Sequence, residues 1–237
     1  MATLFLLHSI SPQNQIDLNQ ISLIILAFAL INTLFRLTVA YLISLLISVP
    51  LALLITYSPR FEKVLLPIFD IIQSIPVLAF FPLIVLAFVK FQFYDGAAIF
   101  ILVMSMVWNI VFSMIGGLKT IPQDVKDASQ IFGAKGIKKI VYVTLPAIFP
   151  SIITGSFLAW GQGWNISIVA EALHAFIPNG SSSQDLLGLG SLLVNSFSES
   201  KNAVFIASLI IMILVITVFN FFIWQKLLRL AERFKFD

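Results

Sequence analysis

The chain has 237 residues, 59% of them hydrophobic and 11% charged, with mean hydropathy +1.04 and a formal net charge of +3. Those values lie outside the range of soluble domains and describe one helical membrane domain, with the excess positive charge available as a topology signal and no reason to invoke nucleic acid. There is no cysteine, and His8 and His174 are the only histidines. Disulfides, thiolate metal sites and cysteine nucleophiles are therefore excluded, the two histidines read as interfacial polar residues, and no catalytic residue or metal site is expected.

The N-terminal MATLFLLHSI is apolar but lacks the positive leader and small-residue cleavage site of a signal peptide, so it is expected to be retained. Asp17–Ile31 (DLNQISLIILAFALI) holds only about 14 continuous apolar residues, which suits an interfacial segment or an extension of the first span; a sixth crossing is the alternative. Residues 1–31 are accordingly set apart as an extracytoplasmic or interfacial segment. Five runs are long enough to cross a bilayer: Asn32–Tyr57, Val64–Val89, Ala97–Leu118, Ala147–Glu171 and Ala203–Leu228. The expected architecture is an all-α polytopic domain over residues 32–233 with five transmembrane helices, six if the earlier segment crosses, and a short tail at 234–237.

Eleven of the 14 lysines and arginines fall after the first span, after the third, and at the C-terminus, while Arg36, Lys90 and Lys201 lie on the other side. The positive-inside rule then puts the C-terminus and the segment 119–146 in the cytoplasm of a cell whose inner membrane the chain spans, with the N-terminus outside.

That segment breaks the hydrophobic pattern with DASQIFGAKGIKKIVYVTLP, Asp127 to Pro146. Thr120 and Gln123 have capping-box spacing, Asp124 suits the positive end of a helix dipole, and Ile121, Val125, Ala128 and Phe132 recur on one face. A helix of roughly 12 residues, about 18 Å long, is predicted, ended by a left-handed Gly133 and loosened by Gly136. Its apolar stripe has to be covered, either by the membrane surface or by a groove on a partner protein.

The stretch resembles the cytoplasmic EAA loop of binding-protein-dependent ABC transporter permeases: Glu-Ala-Ala, three residues, Gly, nine residues, Ile, any residue, Leu-Pro. Asp127, Ala128, Ser129, Gly133, Val143, Leu145 and Pro146 occupy those positions, with Asp for Glu, Ser for the second Ala and Val for Ile. SIPVLAFFPL (Ser74–Leu83), WNISIVAEAL (Trp164–Leu173) and GLGSL (Gly188–Leu192) are similar to the nitrate, sulfonate, taurine and bicarbonate branch. The resemblance covers about Asn32 to Arg233 and implies a type I ABC importer permease fold. It also implies an ATPase subunit receiving the short helix at Asp127, Ala128, Ser129, Phe132, Gly133, Leu145 and Pro146. A second permease subunit, identical or not, and an extracytoplasmic substrate-binding protein would complete the assembly. No G-x-x-x-x-G-K-[ST] cradle is present, so ATP and Mg would belong to the partner, leaving this chain a non-enzymatic subunit without a cofactor of its own.

The solute pathway must come from polar residues within the spans. Asp70 and Gln73 with Ser74, Asn109, and Gln162, Trp164 and Asn165 are the candidates; Glu171, near the outer end of the fourth span, either lines an external gate or pairs with Arg36 or Lys201. Gly155, Gly161 and Gly163 permit close backbone approach. Pro178–Leu193 reads as an outer loop followed by a short helix, a candidate docking surface for the binding protein. A small anion or oxyanion-bearing solute is expected. An uncharged or cationic metabolite, or a secondary transporter in place of an ABC permease, is the alternative; a secondary transporter would show internal repeats and a midplane carboxylate, neither of which is visible.

Overall fold

A computed structural model of the protein describes residues 22–234, and the regular elements among them are all helical. They are α1 (Leu23–Tyr57), α2 (Pro59–Ser74), α3 (Val77–Val89), α4 (Tyr94–Thr120), α5 (Gln123–Ile131), α6 (Gly136–Ala147), α7 (Phe149–Glu171), α8 (Leu189–Ser198) and α9 (Asn202–Glu232). Single π turns interrupt α6 at Ile140–Thr144 and α9 at Asn220–Trp224.

α1, α4 and α9 are each long and apolar enough to cross a membrane. The other two expected spans are broken: α2 and α3 meet at 81°, α6 and α7 at 66°, giving up to five crossings if each bent pair counts as one. The run expected over Val64–Val89 is thus a bent pair, broken at Pro76. Pro76 caps α3 and forces the preceding Ile75 into extended backbone, φ −77° and ψ 124°, so the helix cannot continue through it. Pro50 and Pro82, by contrast, sit inside continuous helices. The described part of the stretch before Asn32 is continuous with α1, which starts at Leu23 with Ser22 accepting from the Ile25 amide. His8 and residues 17–21 lie outside the described residues.

Three helices form the centre, and their register follows from small and hydroxyl side chains. α1 and α4 run parallel at a constant offset: Arg36 meets Asp95, Ser44 Oγ donates to the Val103 carbonyl at 3.4 Å, and Ser48 Oγ to the Val107 carbonyl at 3.2 Å, each pair 59 residues apart. α7 runs antiparallel to both, with Tyr41 bonded to Ser156 (2.9 Å) and Thr33 to Glu171 (2.8 Å). Gly155 lets α7 lie directly on α4: a Cβ there would sit 3.0 Å from the Asn109 carbonyl oxygen and from Ile110 Cα. In a bilayer, lipid is as apolar as Leu, so such close backbone contact and interhelical hydrogen bonds supply much of the association. Gly161 is different, because a Cβ there would meet nothing within 4 Å.

α3 packs on one flank of α4 through the buried Phe81 and Val85. α9 packs on α1 and α7 through Trp224, whose ring lies among Tyr41, Phe157 and Trp160 at 6.3, 6.0 and 6.2 Å between centroids. The ends of the bundle differ in charge: Lys119 pairs with Glu62 at one, and Arg36, Asp95 and Glu171 gather at the other.

Gly155→Val should lower the melting temperature of the purified protein in detergent, because overpacking of a tight contact costs about 1–3 kcal/mol. Gly161→Val, facing open space, should leave melting within about 0.5 kcal/mol of the native value. Equal effects of the two would contradict the α4–α7 contact.

Candidate coupling segment and solute pathway

The segment between α4 and α7 is built from a short helix with a complete C-terminal stop. α5 is nine residues long, shorter than predicted, because the Thr120–Gln123 capping box does not form. Thr120 still belongs to α4, where its hydroxyl donates to the Gly117 carbonyl, and Gln123 Nε2 instead donates to Asp127 Oδ1 at 2.8 Å. At the other end the prediction holds: Gly133 has φ +71°, its N–H reaches the Gln130 carbonyl at 3.0 Å, and the Ala134 N–H reaches Ser129 at 2.9 Å. That is a Schellman stop, which fixes the chain's exit from α5.

The exposed face differs from the predicted stripe. Ile121 is buried and Val125 and Ala128 are half-buried, so the stripe packs on the protein's own helices. Ser129, expected on the docking face, is only 5% exposed and its hydroxyl bonds back to the Lys126 carbonyl at 2.6 Å. What projects is the tip: Phe132 is 88% exposed, with Ile131, Ile137 and Tyr142 nearly as open. Periodicity found the helix but could not tell its inward face from its tip, since Phe132 follows the last helical turn. Leu145 and Pro146 sit half-buried near the elbow where α6 meets α7.

Within the bundle, the broken span creates a hollow of about 320 Å³. The break contributes Gln73, Ile75, Pro76 and Val77, α4 contributes Met104, Ser105, Trp108 and Asn109, and α7 contributes Gln162. Three predicted pathway residues, Gln73, Asn109 and Gln162, therefore converge. Asp70 lies beside them, exposed, holding Gln73 Nε2 at 2.8 Å and accepting, through its carbonyl, from Ser74 Oγ at 2.7 Å. Ser105 and Trp108 were missed; the signal for them was the helical spacing Ser105–Asn109, which shares a face with Trp108 one residue earlier. The same α4–α7 seam continues toward the basic end as a second hollow of about 500 Å³ with small and polar walls, among them Ser113, Gly116, Ser151 and Thr154.

Asn165 is exposed and stands outside the hollow's walls. Trp164 and Glu171 are buried, 3% and 0% exposed, and of the two roles expected for Glu171 the structure shows the pairing with Arg36. Glu171 takes the Thr33 hydroxyl at 2.8 Å, Arg36 Nη1 at 3.0 Å and the Gly190 amide at 2.8 Å. Arg36 in turn bonds Asp95 through Nε at 2.7 Å and the Leu187 carbonyl at 3.0 Å, while Thr33 Oγ1 accepts from the Leu189 amide at 2.9 Å. Glu171 and Thr33 thus cap α8 from two other helices, with every charge paired and hydrogen-bonded. Lys201, the other partner considered, pairs with Glu199 at 2.6 Å. In the outer loop, His174 Nδ1 lies 2.8 Å from Asp185, which also accepts from Asn195, so this loop is tied down by its polar side chains.

A family model described as binding-protein-dependent transport system inner membrane component matches residues 44–228. The chain belongs to this family. Among individual permeases, it is 28% identical over 175 residues to the nitrate import permease protein NrtB of Leptolyngbya laminosa, covering 74% of this chain and 58% of that one. It is 28% identical over 170 residues to the bicarbonate transport system permease protein CmpB of Synechococcus elongatus, covering 72% and 57%. The taurine transport system permease protein TauC of Escherichia coli is 27% identical over 140 residues, covering 59% and 50%. The match thus spans less than two thirds of the length of these three permeases. Both the EAA-like stretch and the hollow fall inside the part of this permease that the family model matches.

Breaking the buried Arg36–Glu171 pair should be costly. Glu171→Ala is expected to destabilise the permease by about 3–5 kcal/mol in a thermal melt, because it leaves a guanidinium buried with one acceptor fewer. Replacing both residues, as Arg36→Met with Glu171→Leu, should recover part of that loss. A Glu171→Ala protein that melts like the native one would contradict the assignment.

Proposed function

We propose that this chain is the permease subunit of a binding-protein-dependent ABC importer, coupled to a separate ATPase subunit through the tip formed by α5 and the start of α6. The observation that carries the reading is the exposed Phe132, held by a Schellman stop next to the similarly open Ile131, with Ile137 exposed at the start of α6. An apolar cluster this open on a rigid turn suits a groove on another protein, which would use the ring as an anchor. The EAA-like spacing around it supports an ATPase as that protein. Positive-inside bias supports a cytoplasmic tip and an N-terminus on the other side. The assembly would contain two permease subunits and an extracytoplasmic binding protein that meets the outer loop.

The solute is proposed to be a small oxyanion-bearing molecule of the nitrate, bicarbonate or taurine kind. Gln73, Asn109 and Gln162 offer amide N–H donors, among the described residues no lysine or arginine lines the hollow, and α3 begins there at Val77 without a side-chain cap, so the positive end of its dipole opens on it. Donors without a buried cation hold an anion weakly, which a pathway requires for release. The relatives named for nitrate, bicarbonate and taurine support the same class.

Phe132→Asp should cut co-purification of the ATPase subunit about tenfold or more, since a central aromatic anchor contributes on the order of 2 kcal/mol, while insertion stays normal because the ring touches little of its own chain. Gln162→Leu should leave the ATPase bound and lower nitrate uptake into proteoliposomes that carry the binding protein. Retained ATPase binding by Phe132→Asp would overturn the coupling assignment, and unchanged uptake by Gln162→Leu would remove that residue from the pathway.

A further inference from the structure

The elbow between α6 and α7 is one of the two places where the coupling tip joins the membrane domain, and two prolines weaken its backbone. Only Ile148 separates the two helices, which are bent by 66°. Pro146 and Pro150 each remove one backbone donor on either side of it, and the π turn Ile140–Thr144 alters the ladder one turn earlier. The Ile148 N–H still reaches the Thr144 carbonyl and the Ile152 N–H the Ile148 carbonyl, both at 3.0 Å, so the angle is held by these bonds together with side chains.

One of those side chains comes from a different helix. After α9 ends at Glu232, the chain turns back so that the Phe234 ring lies 5.2 Å from the Phe149 ring in an edge-to-face arrangement. Phe234 and Ala147 both line the hollow of about 500 Å³ on the α4–α7 seam and a second hollow of about 340 Å³. That second hollow is also walled by Val125 of α5, by Tyr142, Val143 and Pro146 of α6, and by Arg233. The ring therefore stands where the coupling segment, the elbow and α7 meet, with open space on both sides. Its own base is fixed, because Ala231 is buried and Trp224 is locked among Tyr41, Phe157 and Trp160.

We propose that Phe234 is a positioning residue for coupling: a stop, anchored through α9, that sets the elbow angle between α6 and α7 and makes movement of the coupling tip carry α7 with it. This rests on the reading that the tip meets an ATPase. With a small residue at 234, α6 could swing into the adjoining space without turning α7, so the tip would move and the pathway would not.

The test is a distance across the elbow in the permease with its ATPase subunit bound. The chain has no cysteine, so Val141→Cys on α6 and Leu158→Cys on α7, both exposed, take spin labels cleanly. In this labelled protein with Phe234 intact, trapping the ATPase with ADP and vanadate should shift a narrow distance distribution. Phe234→Ala should broaden the resting distribution and abolish the shift while the ATPase still co-purifies, and Phe234→Tyr, which keeps the ring, should restore both. An unaltered distribution and shift in Phe234→Ala would overturn the proposal, as would failure of Phe234→Tyr to restore a lost shift. Absence of ATPase binding with Phe234 intact would instead overturn the coupling reading beneath it.

Discussion

The structure depends on how closely α1, α4 and α7 approach one another. Their contact surfaces are made of Ser44, Ser48, Ser156 and Gly155, so backbones meet where bulky residues would hold them apart. At one end the triad is locked by Arg36 and Glu171, a buried pair whose hydrogen bonds also reach Asp95, the Leu187 carbonyl and the Gly190 amide of α8. Burying two charges is tolerable only when each is this fully bonded. The gain is mechanical, since α8 and the outer loop are fastened to the same three helices and cannot shift independently of them.

With α1, α4 and α7 fixed to one another, two spans, α2–α3 and α6–α7, are broken, and the breaks differ in kind. At Ile75–Pro76 the chain changes direction and opens polar atoms onto a hollow, in keeping with the rule that irregular backbone at membrane depth survives where it lines a cavity or is buried in protein. At Ile148 the break is fully buried and aims the chain out of the bundle toward the exposed tip. Under the proposed function one break bears on what passes and the other on what pushes, and hollows on the α4–α7 seam lie beside both.

Much of this was legible in the sequence because apolar length and proline position are local properties. The five apolar runs, the left-handed Gly133 and the presence of Gln73, Asn109 and Gln162 at depth follow from run length, a turn requirement and polar residues within spans, whereas the meeting of those three side chains at one hollow does not. What was illegible depends on tertiary contact. Ser129 and Phe132 both looked like members of a docking face, but only packing of α5 against the bundle separates the buried hydroxyl from the exposed ring. Depth leaves Glu171 either a gate residue or a partner of Arg36 or Lys201, and the choice is made by contacts with Thr33, Arg36 and Gly190, none of which lies near it in sequence. The capping box at Thr120 failed because α4 runs on to Thr120 itself, a competition between two helices that a four-residue pattern cannot register.

The account's central claim is that the apolar tip, and not the inward stripe of α5, is where the motor protein attaches. A chain without cysteine allows this to be read at single positions: introduce Phe132→Cys or Ser129→Cys and follow the rate of maleimide labelling with the ATPase subunit absent and present. The account predicts fast labelling at 132 that the ATPase suppresses, and slow labelling at 129 in both conditions. Labelling at 132 that is indifferent to the ATPase, or labelling at 129 that is fast and suppressed by it, would contradict it.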